Sequence, residues 1–386
     1  MHHLLLLLVV LLATPTLSII RFSNITADKG ELSLAVWAGA NLYVASNDNI
    51  TLLRNVKITN NGEIKTAWDL SQLGTNPDGS EIGWKANGTI TISSTNVEND
   101  AMWMTGFLYF TTFTQAQDPN FHVYLVNRKI SITSNSDDVT LVFLNLNLGL
   151  RNQTSPLYIP DKSSQVSSVS SLPTSSFAIF WNEPMETYKD PVADASRQQI
   201  IFSNPLRIDA VWYFANVEPF QVFNDVWYIR SNGFLKFDVQ QGWDDPNGGT
   251  TSAVTTTGLL MSSYAPENVT IHMISNAENS AISGISVIYN LLYSVSFQMS
   301  GLEETINTNN DFRNAREEVW VPKLSNYFSV QSNHPIAGRY AVQYFQIEGL
   351  TLPTTPSSLV TTTKGAISNK SGILGIILLA FTYIIY

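Results

Sequence analysis

The sequence predicts an all-β protein of two antiparallel β-sandwich or jelly-roll domains joined by a Ser-rich linker. Three observations carry that expectation. Apolar residues recur at every second position, the period of a half-buried strand. Turn residues return at roughly 8–12-residue intervals, as they do between short strands. No helical patterns alternate with the strands, so a parallel βα sheet is excluded. The one segment with helical composition, around 302–318, has poor apolar spacing.

In chain order, 31–37 (ELSLAVW) and 89–93 (TITIS) alternate cleanly. Between them, Asn60-Asn61-Gly62 separates 56–58 from 63–64, and Asn-Gly accepts the positive φ angles of a hairpin turn. Segment 121–126 (FHVYLV) places Phe121, Val123 and Leu125 on one face, and 139–148 (VTLVFLNLNL) continues the pattern. Segment 161–176 (DKSSQVSSVSSLPTSS) holds eight serines and little that could enter a core, which predicts a flexible joint over 161–174. Strand patterns resume at 206–214, 226–239, 268–274, 285–298 and 339–347, with Ser231-Asn232-Gly233 as a second hairpin turn. The domains are therefore expected at 19–160 and 175–350. A short echo, IIRFSN at 19–24 against IIFSN at 200–204, raises the idea of a duplicated unit.

Both ends read as processing signals. Residues 1–18 (MHHLLLLLVVLLATPTLS) carry ten apolar residues, 4–13, then Pro15 and small residues at Thr16 and Ser18. That is a secretory signal peptide with cleavage near Ser18–Ile19, since a spanning helix needs about 20 apolar residues. At the other end, 351–363 (TLPTTPSSLVTTT) has the composition of an O-glycosylated stalk within a 351–372 attachment region. The apolar tail 373–386 (ILGIILLAFTYIIY) follows a polar spacer, the pattern of a GPI signal with Gly365, Ser368 and Asn369 as attachment candidates.

Composition excludes several classes of function. With 21 basic and 31 acidic residues the net charge is −10, which argues against a nucleic-acid partner. The absence of cysteine excludes disulfides, thiol nucleophiles and thiolate metal sites. Six N-glycosylation sequons occur, at Asn24, Asn49, Asn87, Asn152, Asn268 and Asn369, and the signal peptide makes the first five credible acceptors.

The catalytic motifs are weak. Trp181-Asn182-Glu183-Pro184 resembles the acid/base signature of retaining glycosidases, but that chemistry needs a second carboxylate on a barrel whose helices are lacking here, so a turn is expected. His122 and His272 fall on strands and His334 in a loop, without metal or triad spacing. The most suggestive loop is 241–249 (QGWDDPNGG). There Asp244, Asp245 and Asn247 offer hard oxygen ligands for calcium, and Trp243 offers a ring to stack on a sugar or a partner. Asp-Pro-Asn-Gly is equally an ordinary turn, as is Thr75-Asn76-Pro77-Asp78-Gly79.

The layout of signal peptide, β domain, Ser-rich joint and second β domain ending in GRYAVQYF (338–345), followed by a Thr-rich stalk, resembles the CUB-like secreted and GPI-anchored surface glycoproteins of invertebrates. The resemblance implies jelly-roll domains at epithelial surfaces, a link to innate defence and no catalysis. It points to an extracellular recognition or adhesion module with a carbohydrate or protein ligand, no cofactor apart from an optional calcium, and attachment to the membrane through lipid. A passive coat glycoprotein and a secreted hydrolase are the alternatives.

Overall fold

The computed structural model describes residues 18–146, 163–186, 188–189, 200–208, 211–242, 244–262, 268–276, 281–299, 302–306, 315–332 and 338–349. The expected β class holds throughout, with a few short helices in the N-terminal part. The expected signal peptide up to residue 17, the expected stalk and the apolar tail lie outside the described residues.

Sheets stack in layers. The first layer orders Leu32–Ala35, Thr89–Ser94, Val56–Asn60 and Glu63–Thr66. The second orders Ile19–Arg21, Phe107–Phe110, Asn41–Ala45 and Trp84–Lys85. Between them Leu42, Val44, Ile58, Ile92, Leu108 and Phe110 form one core. Asn61 and Gly62, both at positive φ, close the Val56–Asn60 and Glu63–Thr66 hairpin as the sequence predicts. Thr66 with Asp69, and Thr112 with Gln115, form capping boxes that start helices too short to persist alone.

The opposite face of the second layer is also covered. Tyr43, Phe107 and Tyr109 pack on Val123, Leu125, Val142, Phe180 and Tyr228 of a five-stranded sheet. That sheet orders Ile200–Asn204, Ser176–Trp181, Val226–Asn232, Val139–Asn145 and Phe121–Val126. Its other face puts Tyr124, Leu141, Phe143, Ile179, Trp227 and Ile229 into a second core. Its strands are thus buried on both faces, and Val139–Asn145 is buried at every residue. The expectation of one apolar face in 121–126 and 139–148 is corrected accordingly, because a sheet inside a stack meets no water on either side. Phe121–Val126 and Val139–Asn145 pair in parallel, with Ile130–Ser134 crossing to the facing sheet in between.

The facing sheet orders Ile130–Ser134, Leu235–Gly242, Ser163–Ser171 and Phe220–Val222. Two corrections follow. The Ser-rich segment is not a flexible joint: Ser163–Ser171 is a central strand, irregular between Ser167 and Ser170, and its Ser163 and Ser164 are fully buried. Small hydroxyls fit there because they find partners, Ser163 Oγ donating to the Gly242 carbonyl (2.7 Å) and Ser164 Oγ accepting from Trp227 Nε1 (3.0 Å). The proposed boundary near 160–175 therefore runs through shared sheets, since strands from both sides of it pair with each other. The Asn232-Gly233 turn is not a hairpin either, because Val226–Asn232 and Leu235–Gly242 belong to different sheets and the turn is the corner between them.

A C-terminal sandwich completes the molecule. One sheet orders Asn216–Val217, Thr256–Met261, Gly338–Glu348, Ala281–Leu291 and Ala315–Val321. The other orders Asn268–His272, Tyr327–Ser332, Val295–Met299 and Leu302–Ile306. The core between them includes Val269, Ile285, Phe297, Phe328, Val330 and Tyr344. The helix considered for 302–318 is replaced by the strands Leu302–Ile306 and Ala315–Val321. Gln343 couples this sandwich to the middle one: its Nε2 donates to the Ser203 carbonyl (2.8 Å) and its Oε1 accepts from Ser203 N–H (3.0 Å). The echo at 19–24 and 200–204 falls on edge strands in both places, but residues 22–24 turn into a 3₁₀ helix whereas 202–204 continue the strand.

An ion-pair lock holds the segment after Trp181 to this stack. Tyr188 Oη donates to Asp118 Oδ2 (2.6 Å), and Lys189 Nζ lies 2.6 Å from the same oxygen and 3.1 Å from Asp138 Oδ2. Arg230 Nη1 donates to the Tyr188 carbonyl (2.6 Å). Burial pushes the Asp118 carboxyl up, but the hydrogen bonds from Lys189 and Tyr188 outweigh it and hold the group below the usual range. A carboxyl depressed in the folded state stabilises above its unfolded value of about 4 and loses that contribution as pH falls through the folded value. Asp118→Asn is therefore expected to lower stability near neutral pH and to flatten its decline below about pH 5. Denaturation midpoints measured across that range check this.

Candidate functional site

Strand Leu235–Gly242 leads into the loop singled out by the sequence. Asp245 Oδ1 accepts from Asn247 N–H (2.9 Å) and Gly248 takes a positive φ, the local chemistry that makes Asp-Pro-Asn-Gly a tight turn. The loop then runs along the edge strand Asn268–His272. Asn247 Oδ1 accepts from Thr270 N–H (3.0 Å), Gly248 N–H donates to the Thr270 carbonyl (2.7 Å), and His272 N–H donates to the Gly249 carbonyl (2.7 Å). On its other side Gln221 grips the Asp244 backbone through both amide atoms, at 2.6 and 2.9 Å. Asp244 Oδ2 accepts from Gln165 Nε2 (2.7 Å).

Asp244 to Asn247 thus bridge the middle and C-terminal sandwiches. Beneath the bridge lies a cleft of about 430 Å³, within the size range of small-ligand sites. Phe220, Phe223, Leu259, Met261, Ile271 and Tyr344 give it an apolar floor, and Gln165, Gln221, Asp244, Asp245 and Asn247 a polar rim. Burial and the nearby Glu218 charge raise the Tyr344 phenol far above its ordinary value, so it stays neutral. The described lining residues include acids but no Lys or Arg. Such a lining suits a neutral, hydroxyl-rich or amide-bearing ligand with an apolar face, and disfavours anions.

Of the sequence-nominated residues, Asp244, Asp245 and Asn247 come together on this rim, while Trp243 lies outside the described residues. The oxygens proposed for calcium are largely engaged in holding the loop, and no group of three or more His, Asp or Glu that could hold a metal occurs among the described residues. Sequence reasoning missed Gln165, Gln221, Glu218 and Tyr344. Gln165 lay in the stretch read as a linker, and nothing local distinguishes the others. Glu183 lies two residues past the strand Ser176–Trp181, its Oε1 accepts from Ser18 Oγ (2.7 Å), and Gln115 Nε2 holds the Pro184 carbonyl (2.7 Å). His122 Nδ1 pairs with Asp78 Oδ2 (2.9 Å) in the 75–79 turn.

Asn24, Asn49, Asn87 and Asn268 are all exposed, as glycan acceptors must be. Asn49 also caps the helix Ile50–Arg54, its Oδ1 accepting from Thr51 N–H (2.8 Å), which leaves Nδ2 for a sugar. Asn268 stands on the cleft rim. Asn152, Gly365, Ser368 and Asn369 lie outside the described residues. Among the described residues no helix is long and apolar enough to cross a membrane.

Comparison with curated proteins finds no match. Among solved structures, the cycloalternan-forming enzyme from Listeria monocytogenes in complex with a pentasaccharide substrate aligns over 82% of this chain and 29% of its own length, at 10% identity and a TM-score of 0.17. The chain thus spans under a third of that enzyme, and the score carries no shared fold. A family model described as transmembrane glycoprotein matches residues 37–373, nearly the whole chain. The chain belongs to that transmembrane glycoprotein family and is a membrane-associated or surface glycoprotein.

Proposed function

We propose that the protein is a GPI-anchored extracellular glycoprotein that recognises a carbohydrate through the cleft under the Asp244–Asn247 loop. The observation that carries the reading is the cleft itself: an apolar, aromatic-bearing floor under a rim of amides and carboxylates. A sugar ring presents an apolar face and a girdle of hydroxyls, and that lining complements both. The terminal segments supply the location, a secretory leader at 1–18 and an anchor signal with Gly365, Ser368 or Asn369 as its attachment point. The resemblance to CUB-like surface proteins supports a role in recognition at an epithelial surface, with microbial polysaccharide as one ligand class.

Phosphatidylinositol-specific phospholipase treatment of expressing cells is expected to release the protein. Retention, with the lipid shown to be unprotected by acylation, overturns the anchor. The released protein, or the detergent-extracted one, is then applied to glycan and microbial polysaccharide arrays with and without calcium. Specific binding is expected, weakened roughly 10- to 100-fold by Asp244→Ala, the loss of one or two hydrogen bonds involving a charged group. Silence across the arrays overturns the carbohydrate reading and leaves a protein ligand or a coat role.

A further inference from the structure

We infer that the Ser18–Ile19 bond is the maturation site and that the α-ammonium thereby created on Ile19 is bound by the carboxylate of Glu183. This rests on the secretory-leader part of the function proposed above. Thr16 and Ser18 supply the small residues that a leader-removing endopeptidase requires before the cut. Hydrolysis consumes one water, sends Ser18 away as a carboxylate with the leader, and leaves Ile19 with a free amine that takes a proton at neutral pH.

The geometry places that amine beside Glu183. Ser18 Oγ donates to Glu183 Oε1 at 2.7 Å. The Ile19 nitrogen is four covalent bonds from that Oγ, hence within about 5 Å of it. Ile19 does not depend on Ser18 for its position. It is laddered to Tyr109 in the antiparallel pair of Ile19–Arg21 with Phe107–Phe110, and its half-buried side chain packs against the core between the two sheets. Removal of Ser18 therefore takes away the hydroxyl on Glu183 and the carbonyl accepting from Phe110 N–H, and leaves an ammonium within about 5 Å of the vacated hydroxyl position.

Glu183 has the surroundings of a carboxylate awaiting a cation. Among the described residues no Lys or Arg forms an ion pair with it. The basic residue nearest in the strand, Arg21, is taken by Asp225. Glu186, on the same segment, accepts from Thr114. Tyr109 is fully buried, its hydroxyl has no hydrogen-bond partner among the described residues, and burial together with the Glu183 charge raises its pKa. The Glu183 charge thus acts across a poorly solvated region, where an added cation is felt more strongly than at an open surface. The segment is also held from both sides, by Gln115 on the Pro184 carbonyl and by Tyr188 on Asp118.

An ammonium facing a carboxylate has a raised pKa, so its stabilisation is present below the unfolded value near 8 and is lost as pH rises through the folded value. The test uses the full chain expressed in secreting cells. Mass spectrometry of the mature N-terminus is expected to find Ile19. Labelling of that amine by an amine-reactive reagent across pH is then expected to be about tenfold slower near pH 8 than for an unpaired α-amine. Glu183→Gln should restore the ordinary rate, and Glu186→Gln, the control carboxylate, should not. If Glu183→Gln fails to fold, Glu183→Asp, with its shorter reach, is expected to give an intermediate rate. A retained leader overturns both this inference and the secretory reading. A mature terminus elsewhere, or Ile19 with an ordinary labelling profile, overturns the inference alone.

Discussion

Trp227→Ala is expected to destabilise the protein by about 3–5 kcal/mol, the cost of emptying a large aromatic site in a close-packed core. Trp227 is fully buried in the strand Val226–Asn232, with its ring stacked on Phe143 at 4.2 Å between centroids. It also spans the sandwich, because Nε1 donates to Ser164 Oγ of the facing sheet (3.0 Å). Alanine therefore leaves a cavity and strips Ser164 of its indole partner. Trp227→Phe retains most of the apolar volume and should cost clearly less than alanine, which separates the ring from the hydrogen bond. Urea denaturation of both variants beside the natural protein measures the two terms. A loss under 1 kcal/mol for alanine would mean that the two sheets do not depend on this contact.

That coupling also explains what the sequence could and could not convey. Alternation is legible where one face of a strand meets water, as in 89–93, and Asn61-Gly62 is legible because only a few residue pairs tolerate two positive φ angles. Burial on both faces removes the alternation, so Val139–Asn145 announces a strand but not its neighbours. Ser163–Ser171 misleads for the opposite reason. Serine has low intrinsic apolarity, and its place in a core depends on partners such as Trp227 and Gly242, far away in the chain. Asn232-Gly233 shows that a turn residue specifies a change of direction without naming the strand beyond it.

The candidate site was legible to the same limited depth. Asp244, Asp245 and Asn247 stand out because turn chemistry is local. The floor of the cleft is assembled from Phe220, Leu259 and Tyr344, which belong to separate strands and carry ordinary core patterns. A cleft between two sandwiches is a property of their docking, and docking has no periodicity to read.

Glu218 is the residue on which that docking and the cleft both depend, and Glu218→Ala is expected to cost about 2–3 kcal/mol and to abolish the proposed carbohydrate binding. Its carboxylate is buried immediately before Pro219 of the cleft wall. It accepts from Ser252 N–H (2.9 and 3.1 Å to its two oxygens), from Ser252 Oγ (3.0 Å) and from the Thr256 hydroxyl. Its own N–H donates to the Thr257 carbonyl (2.9 Å), so this one residue ties Phe220–Val222 of the middle sandwich to Thr256–Met261 of the C-terminal one. Alanine orphans these donors and frees the 250–256 segment, which continues directly from the loop that bridges the cleft. Glu218→Gln keeps one acceptor oxygen and the volume, so it should lose less stability than alanine. It also removes the charge that helps raise the Tyr344 phenol, and should therefore lower that phenol's pKa while burial keeps it above the ordinary value. Urea denaturation together with spectrophotometric tyrosine titration separates the two effects. A glutamine variant that matches alanine in stability would show that the charge itself, rather than the oxygen positions, holds the cleft wall.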